Sequence, residues 1–275
     1  MLSSRAQSDP CSIFGRLPEG ARKTFRLPVW AWILGSVILV GLAVLTDARM
    51  ERLLYGDTSS TFHEYARRVS RLGEGWVIAV AGVAVSGLLC LGKRFRGARL
   101  VFLVALVSLL TGLSGTLLRT VVGRTRPNSD IPQGVYGMWH GSKFVAGKSD
   151  YGSFPSGHAT TVAGLAVAAW MFSRKLGGVS WVYAVMVSLG RVVQGAHHFS
   201  DVVAGTLLAG LLAPWMVILV SALMDRLGRK AGELWGAGWK SASEKKAAVR
   251  AELEMEPGSV RVAEPVSAQS NSPAN

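Results

Sequence analysis

The amino-acid sequence predicts an all-α integral membrane protein, a bundle of six transmembrane helices. Three observations predict it. Apolar residues make up 49% of the 275-residue chain, and they come in long blocks rather than in the spaced stripes of water-facing helices. Six blocks, 29–45, 76–91, 100–118, 158–172, 179–193 and 202–224, are long or apolar enough to consider as spans. The basic residues behind the formal charge of +13 cluster beside those blocks, where they read as topology signals. A soluble protein of buried helices is excluded, because six such runs leave too few amphipathic helices to build a water-facing shell.

The first 28 residues are polar and carry Gly, Pro and Arg, as expected of a cytoplasmic leader. The second, fourth and fifth blocks are short of the ~17 to 25 residues a span needs and reach it only with their polar flanks. Between the first two blocks, residues 57–59 can cap a short helix through Phe62, Tyr65, Ala66, Val69 and Leu72. Its single apolar face predicts a helix lying at the outer membrane surface, with His63 as a surface residue. Lys93, Arg94, Arg96 and Arg99 fill the next connection with no acid among them, and Arg22, Lys23, Arg26, Arg174, Lys175, Arg226, Arg229 and Lys230 flank other spans. These segments are expected inside, with both termini in the cytoplasm.

The longest connection, 119–155, holds Tyr136, Met138, Trp139 and Phe144 among glycines and prolines. Loops of this length in a compact domain are usually functional, and the aromatics suit a membrane interface. His140, Asp130 and Asp150 have no partner at a recognisable spacing and are read as loop residues. After the last span the chain is amphipathic, with Trp235 and Trp239 four apart, and then turns to a Pro, Ser, Gln and Asn tail beyond Glu254. The expected organisation is a leader (1–28), one membrane domain (29–224) and a cytoplasmic tail (225–275). Cys11 and Cys90 fall in segments that no topology pairs, so no disulfide is expected. No nucleic-acid motif accompanies the charge, so nucleic acid is not an expected partner.

Three polar clusters interrupt the apolar pattern. Arg119 ends the third block and is followed, after six residues, by Arg126 and Pro127. Phe154, Pro155, Ser156, Gly157 and His158 begin the fourth block. Ser156 can cap that helix, Gly157 allows close approach, and the first amides with the helix dipole favour an anion. Arg191 is followed after five residues by His197, and after three more by Asp201. On a helix His197 and Asp201 share a face, which lets the carboxylate orient the imidazole for nucleophilic attack; His198 is the rival. Flanking charges alone bring all three clusters to the non-cytoplasmic side. Three arginines, a helix N-terminus, two histidines and one carboxylate suit phosphoryl transfer, whose transition state spreads negative charge over oxygens. One acid is too few for magnesium, and the arginines repel zinc.

The clusters resemble the tripartite signature of the type 2 phosphatidic acid phosphatase (PAP2) superfamily, the lipid phosphate phosphatases. Arg119, Arg126 and Pro127 match its first part, Pro155 to His158 its second, and Arg191, His197 and Asp201 its third. The resemblance implies that Arg119, Arg126, Ser156, Gly157 and Arg191 hold phosphate, His197 attacks phosphorus, Asp201 orients it and His158 protonates the leaving alkoxide. It implies a metal-independent hydrolase with no cofactor, embedded in a bacterial inner membrane with its site on the extracytoplasmic face. The implied substrates are lipid phosphates or diphosphates: undecaprenyl diphosphate, phosphatidic acid, phosphatidylglycerophosphate or lipid A. Arg119 stands where lysine is usual, and Gly190 where the serine before Arg191 is usual. A vanadium haloperoxidase shares the signature but resembles soluble helical proteins, and a non-catalytic lipid-binding protein would not keep every titratable role filled.

Overall fold

The computed structural model describes residues 28–54 and 60–254. The leader with Cys11, the cap expected at 57–59, the tail beyond 254 and the side chains of Trp235 and Trp239 lie outside the described residues. The chain to Asp225 forms one compact unit, and Arg226 onward a second. The helices are α1 (Val29–Leu54), α2 (Thr61–Arg71), α3 (Gly75–Leu91), α4 (Phe95–Val122), α5 (Gly157–Phe172), α6 (Arg174–Val193) and α7 (Phe199–Glu254). Between α4 and α5 a two-stranded antiparallel hairpin, β1 (Trp139–His140) with β2 (Lys143–Phe144), sets the Trp139 and Phe144 rings edge to face at 5.1 Å.

The expected six spans are not there. Among the described residues four helices are long and apolar enough to cross a membrane: α1, α4, α6 and the Phe199–Glu233 part of α7. A fifth exists only if α2 and α3, which meet at 55°, are counted as one broken span. Helix length explains the correction. At 1.5 Å per residue, the 17 residues of α3 and the 16 of α5 reach about 26 and 24 Å, against a hydrocarbon core of about 30 Å. α5 is short and apolar for another reason, since 11 of its 16 residues are buried. It is the central helix, packed against α4 and α6, and a helix apolar all round in such a place owes its composition to neighbouring helices, not lipid.

Small residues set the α4–α5 spacing. A Cβ on Gly112 would fall 1.9 Å from Thr161 Oγ1, and one on Gly164 2.0 Å from Thr111 Oγ1. Such close approach lets the Ser108 hydroxyl donate to Thr161 O across the interface at 2.7 Å. Beneath it, Leu103, Val107, Ala168, Ala213 and Val217 form a core shared by α4, α5 and α7.

α2 forms as expected but is rotated about its axis, so that of the expected apolar face only Ala66 is buried and Val69 half-buried. Ser60 caps it, accepting from His63 N. Phe62 and Tyr65 are 66% and 63% exposed, while His63, Ala66 and Ser70 are buried. The packed face is small and polar because α2 leans on α6, where a Cβ on Gly190 would meet Ala66 O at 2.9 Å. In lipid surroundings the large apolar side chains need not turn inward, and small residues make the closest contacts. His63 is thus a packed residue, not a surface one.

Candidate active site

The C-terminal ends of α1, α4 and α6 and the N-terminal ends of α5 and α7 converge, tied by hydrogen bonds between residues far apart in sequence. Ser156 N donates to Asp201 O at 3.0 Å, Ser153 N to Arg124 O at 3.0 Å, and Asn128 N to Gly195 O at 3.1 Å. All three sequence clusters therefore share one site.

The first cluster leaves the helix at Gly123, whose φ of 62° is left-handed and whose N–H bonds back to Arg119 O. Only glycine fits, because a Cβ there would also lie 1.8 Å from Gly137 O. Residues 124–126 continue as extended chain along the loop, with Thr125 N on Gly134 O and Arg126 N on Asp150 O, both at 3.0 Å. The turn brings Arg126 back beside Arg119. Burial and that neighbouring charge lower the Arg126 pKa, against the opposing pull of Asp150 and Asp201.

Ser156 is the N-cap of α5, its hydroxyl accepting from Ala159 N at 3.4 Å. A Cβ on Gly157 would lie 3.1 Å from Thr116 Oγ1 and 3.7 Å from Arg119 Nη1, so the helix start sits directly under the Arg119 guanidinium. His158 follows at the same N-terminus and shares its electrostatic surroundings with Arg191, His197, Arg119 and Arg126.

His197 is completely buried. Its Nδ1 lies 2.8 Å from Ser153 O and 3.8 Å from Asp201 Oδ2. A carbonyl only accepts, so Nδ1 carries the proton and Nε2 the lone pair. Nε2 has no partner. Burial, with the nearby Arg191 and Arg126 charges, holds the His197 pKa down to about 4 against the opposing influence of Asp201, which keeps the ring neutral near pH 7. His198 differs: its Nδ1 is held by Glu51 Oε1 and its Nε2 by Thr125 O at 3.2 Å. Both of its ring nitrogens are occupied by neighbouring oxygens, and neither is open for attack. By sequence the two histidines are rivals; this geometry separates them.

Asp201 reaches His197 chiefly through its surroundings. Its Oδ2 accepts from His198 N at 2.8 Å and from the Ser153 hydroxyl, the residue whose carbonyl holds His197. Its Oδ1 accepts from Arg124 Nη1 at 2.6 Å. Arg124 in turn donates to Ser200 Oγ at 2.7 Å and to Asp47 Oδ2 at 2.9 Å. Asp47 also takes Ser200 N at 2.8 Å and Ser200 Oγ at 2.6 Å. Sequence reasoning misses Arg124, Ser153, Asp47 and Glu51. Asp47 reads as connection because the apolar block ends at residue 45, whereas α1 runs to Leu54. The signal that could have found these acids is their spacing, four apart on one helical face just past an apolar run, where a charge is costly unless paired.

Among the described residues no group of three or more His, Cys, Asp or Glu comes together to hold a metal ion. Six buried side-chain polar atoms there lack a hydrogen-bond partner, and four of them are Arg126 Nε, Arg191 Nε, His158 Nε2 and His197 Nε2. In a packed protein such groups are rare and costly. Four of them fall within one cluster of cations and imidazoles, a cradle whose unfilled groups suit an anion beside the open Nε2 of the neutral His197 ring.

Residues 96–225 match the PAP2 superfamily. The chain is 37% identical over 134 residues to a lipid A 1-phosphatase of Rhizobium johnstonii, covering 48% of this chain and 49% of that protein. It is 37% identical over 120 residues to a lipid A 1-phosphatase of Rhizobium etli, covering 43% and 47% respectively. The crystal structure of a transmembrane PAP2 type phosphatidylglycerolphosphate phosphatase from Bacillus subtilis aligns at 22% identity with a TM-score of 0.47, covering 70% of this chain and 94% of that one. The chain spans about half the length of the curated relatives it matches.

Proposed function

We propose, from the match of residues 96–225 to the PAP2 superfamily, that the chain hydrolyses a lipid phosphate or diphosphate by way of a phosphohistidine. The carrying observation is the His197 ring, with Nδ1 held by the Ser153 carbonyl and Nε2 unpartnered among arginines. Nε2 attacks phosphorus and forms the N–P bond as the bond from phosphorus to the bridging oxygen breaks. His158 gives that oxygen a proton, and the lipid alcohol, or lipid monophosphate, leaves. Arg119, Arg126, Arg191 and the amides at the start of α5 take up the charge on the equatorial oxygens. In the second half His158 removes a proton from water, which attacks phosphorus, releases inorganic phosphate and restores His197. Ser156 holds the helix start, Gly157 lets phosphate approach it, and Asp201 keeps His197 oriented through Ser153.

No step calls for a metal, and the donor set supports none, since arginines surround the single acid nearest the nucleophile. The similarity to the two Rhizobium lipid A 1-phosphatases makes a glycosidic lipid phosphate the first substrate to try. α4 supports an extracytoplasmic site without any count of spans. Lys93, Arg94, Arg96 and Arg99 lie at one end and Arg119 at the other. Its 28 residues span about 42 Å, so the two ends lie on opposite faces, the basic one inside. The membrane proposed is the bacterial inner one, as the family resemblance implies.

The test is phosphate release by purified protein from a panel of lipid phosphates with excess EDTA present. Release that survives the chelator is expected, and complete loss restored by magnesium overturns the chemistry. Sidedness is read in the same preparation's parent cells, in a background lacking Cys11 and Cys90. A cysteine placed within 132–147 should react with an impermeant thiol reagent from outside, and Ser173→Cys should not.

A further inference from the structure

In-line displacement places the leaving oxygen opposite the attacking nitrogen, and the two histidines have different surroundings. His197 is sealed. His158 lines a slot of about 200 Å³ together with Arg119 and Gly157, and His197 is not part of its wall. One side of the slot is a single face of α4, Leu109, Gly112, Leu113 and Thr116, which leads up to Arg119. The other side is the bend between α2 and α3, where Gly73 and Gly75 lie. A Cβ on Gly75 would meet Leu109 Cδ2 at 3.5 Å, so the two sides come close there and the slot is narrow at that point. From Leu109 to Arg119 is about 15 Å along the helix, half the depth of the hydrocarbon core. Leu113 is 53% exposed, so the slot opens sideways where lipid lies.

We propose that this slot receives the leaving side of the substrate, with the bridging oxygen against His158 and the first part of the lipid alcohol along Leu109 and Leu113. The proposal rests on the phosphatase reading and adds a specificity determinant outside the three motifs. It distinguishes the slot from a larger apolar groove of about 420 Å³ between α1 and α7, which Trp32, Val37 and Leu208 line and no cradle side chain enters. An alcohol in that second groove would lie behind Phe154 and Pro155, away from the proton donor.

The experiment compares kcat/KM for a long-chain phosphatidic acid with that for p-nitrophenyl phosphate, using the full chain in detergent. Leu113→Trp, which fills the slot, should lower the lipid-to-small-substrate ratio at least about tenfold, the scale on which a filled apolar pocket discriminates. Val37→Trp, in the other groove, should leave the ratio within about twofold. A ratio that falls with Val37→Trp instead, or an equal loss on both substrates with Leu113→Trp, overturns the assignment. A second measurement is independent of turnover: a lipid phosphate with a diazirine close to the bridging oxygen should crosslink to the 109–116 segment. Labelling of α1 instead rejects the slot. Wild-type phosphate release from the small substrate reports on the phosphatase reading separately.

Discussion

Two polar clusters stand side by side at the same end of the bundle, and they differ in how fully their groups are bonded. In the brace of Asp47, Arg124, Ser200 and Asp201, both Arg124 Nη atoms and both oxygens of each carboxylate have partners between 2.6 and 2.9 Å or closer. In the cradle, Arg126, Arg191, His158 and His197 each keep a buried nitrogen without one. Both clusters contain arginine and both are buried, where an unpaired charge is costly. The difference teaches that burial of charge alone does not mark a functional group. A saturated cluster spends its charges on holding helices together, whereas an unsaturated one keeps them for a ligand.

The sharpest way to break the comparison is at the histidines, where the largest effect is expected. His197→Ala should abolish turnover and any phosphoenzyme. His158→Ala should slow turnover ~100-fold or more, the scale of lost general acid/base catalysis. With a good leaving group His158→Ala should recover part of its first step, then hydrolyse the phosphohistidine slowly, so acid-labile, base-stable label accumulates. Label that persists in His197→Ala and disappears in His198→Ala would mean that the bonded ring, not the open one, is the nucleophile.

Next in size is a contrast of stability against activity. Arg124→Ala leaves Asp47 and Asp201 buried without their shared cation, and breaking a buried pair in this way costs ~3 to 5 kcal/mol. The Tm in detergent should fall clearly. Arg191→Ala removes a cation whose side-chain bond to Ser70 is 3.4 Å long, and it relieves repulsion from Arg126 and Arg119. Its Tm should hold or rise while kcat falls ~100-fold or more, as for the loss of one donor to a developing oxyanion. Equal losses of Tm in the two variants would erase the distinction between brace and cradle.

The two clusters are also unequally legible in the sequence. Every cradle residue lies in a short motif whose spacing carries its chemistry, so Arg119, Arg126, Ser156, Gly157, His158, Arg191 and His197 can be named from the sequence alone, as can Asp201 of the brace, and the fold brings them together. The brace is made of contacts across long separations. Asp47 meets Ser200 from 153 residues away, and Glu51 meets His198 from 147. No local pattern encodes such a pair; it appears only when α1 is set against the start of α7. The span count fails for a related reason. Hydropathy reports that a segment is apolar, and α5 is apolar because helices surround it. Likewise the apolar stripe of α2 correctly forecasts a helix, but lipid outside and glycine on α6 inside shift the packed face toward His63, Ala66 and Ser70.

The smallest expected effect tests whether α2 belongs to the brace or to the cradle. Ser70 Oγ accepts from Arg191 Nη1 at 3.4 Å, and Gln194 Nε2 reaches Ala66 O on the same helix at 3.3 Å. Both bonds are long, and together they lay α2 along the end of α6. A hydrogen bond contributes ~0.5 to 1.5 kcal/mol net, and one of this length belongs at the lower end. Ser70→Ala should therefore raise KM by a few-fold, with kcat changed less, because Arg191 keeps its charge and loses only a guide to its position. The Gln194 contact still docks α2, so Tm should scarcely move. Ser70→Thr keeps the hydroxyl and should restore KM, which a purely structural role for the side chain does not predict. An unchanged KM in Ser70→Ala, together with unchanged inhibition by orthophosphate, would mean that α6 alone positions Arg191 and that α2 is only a neighbour of the cradle.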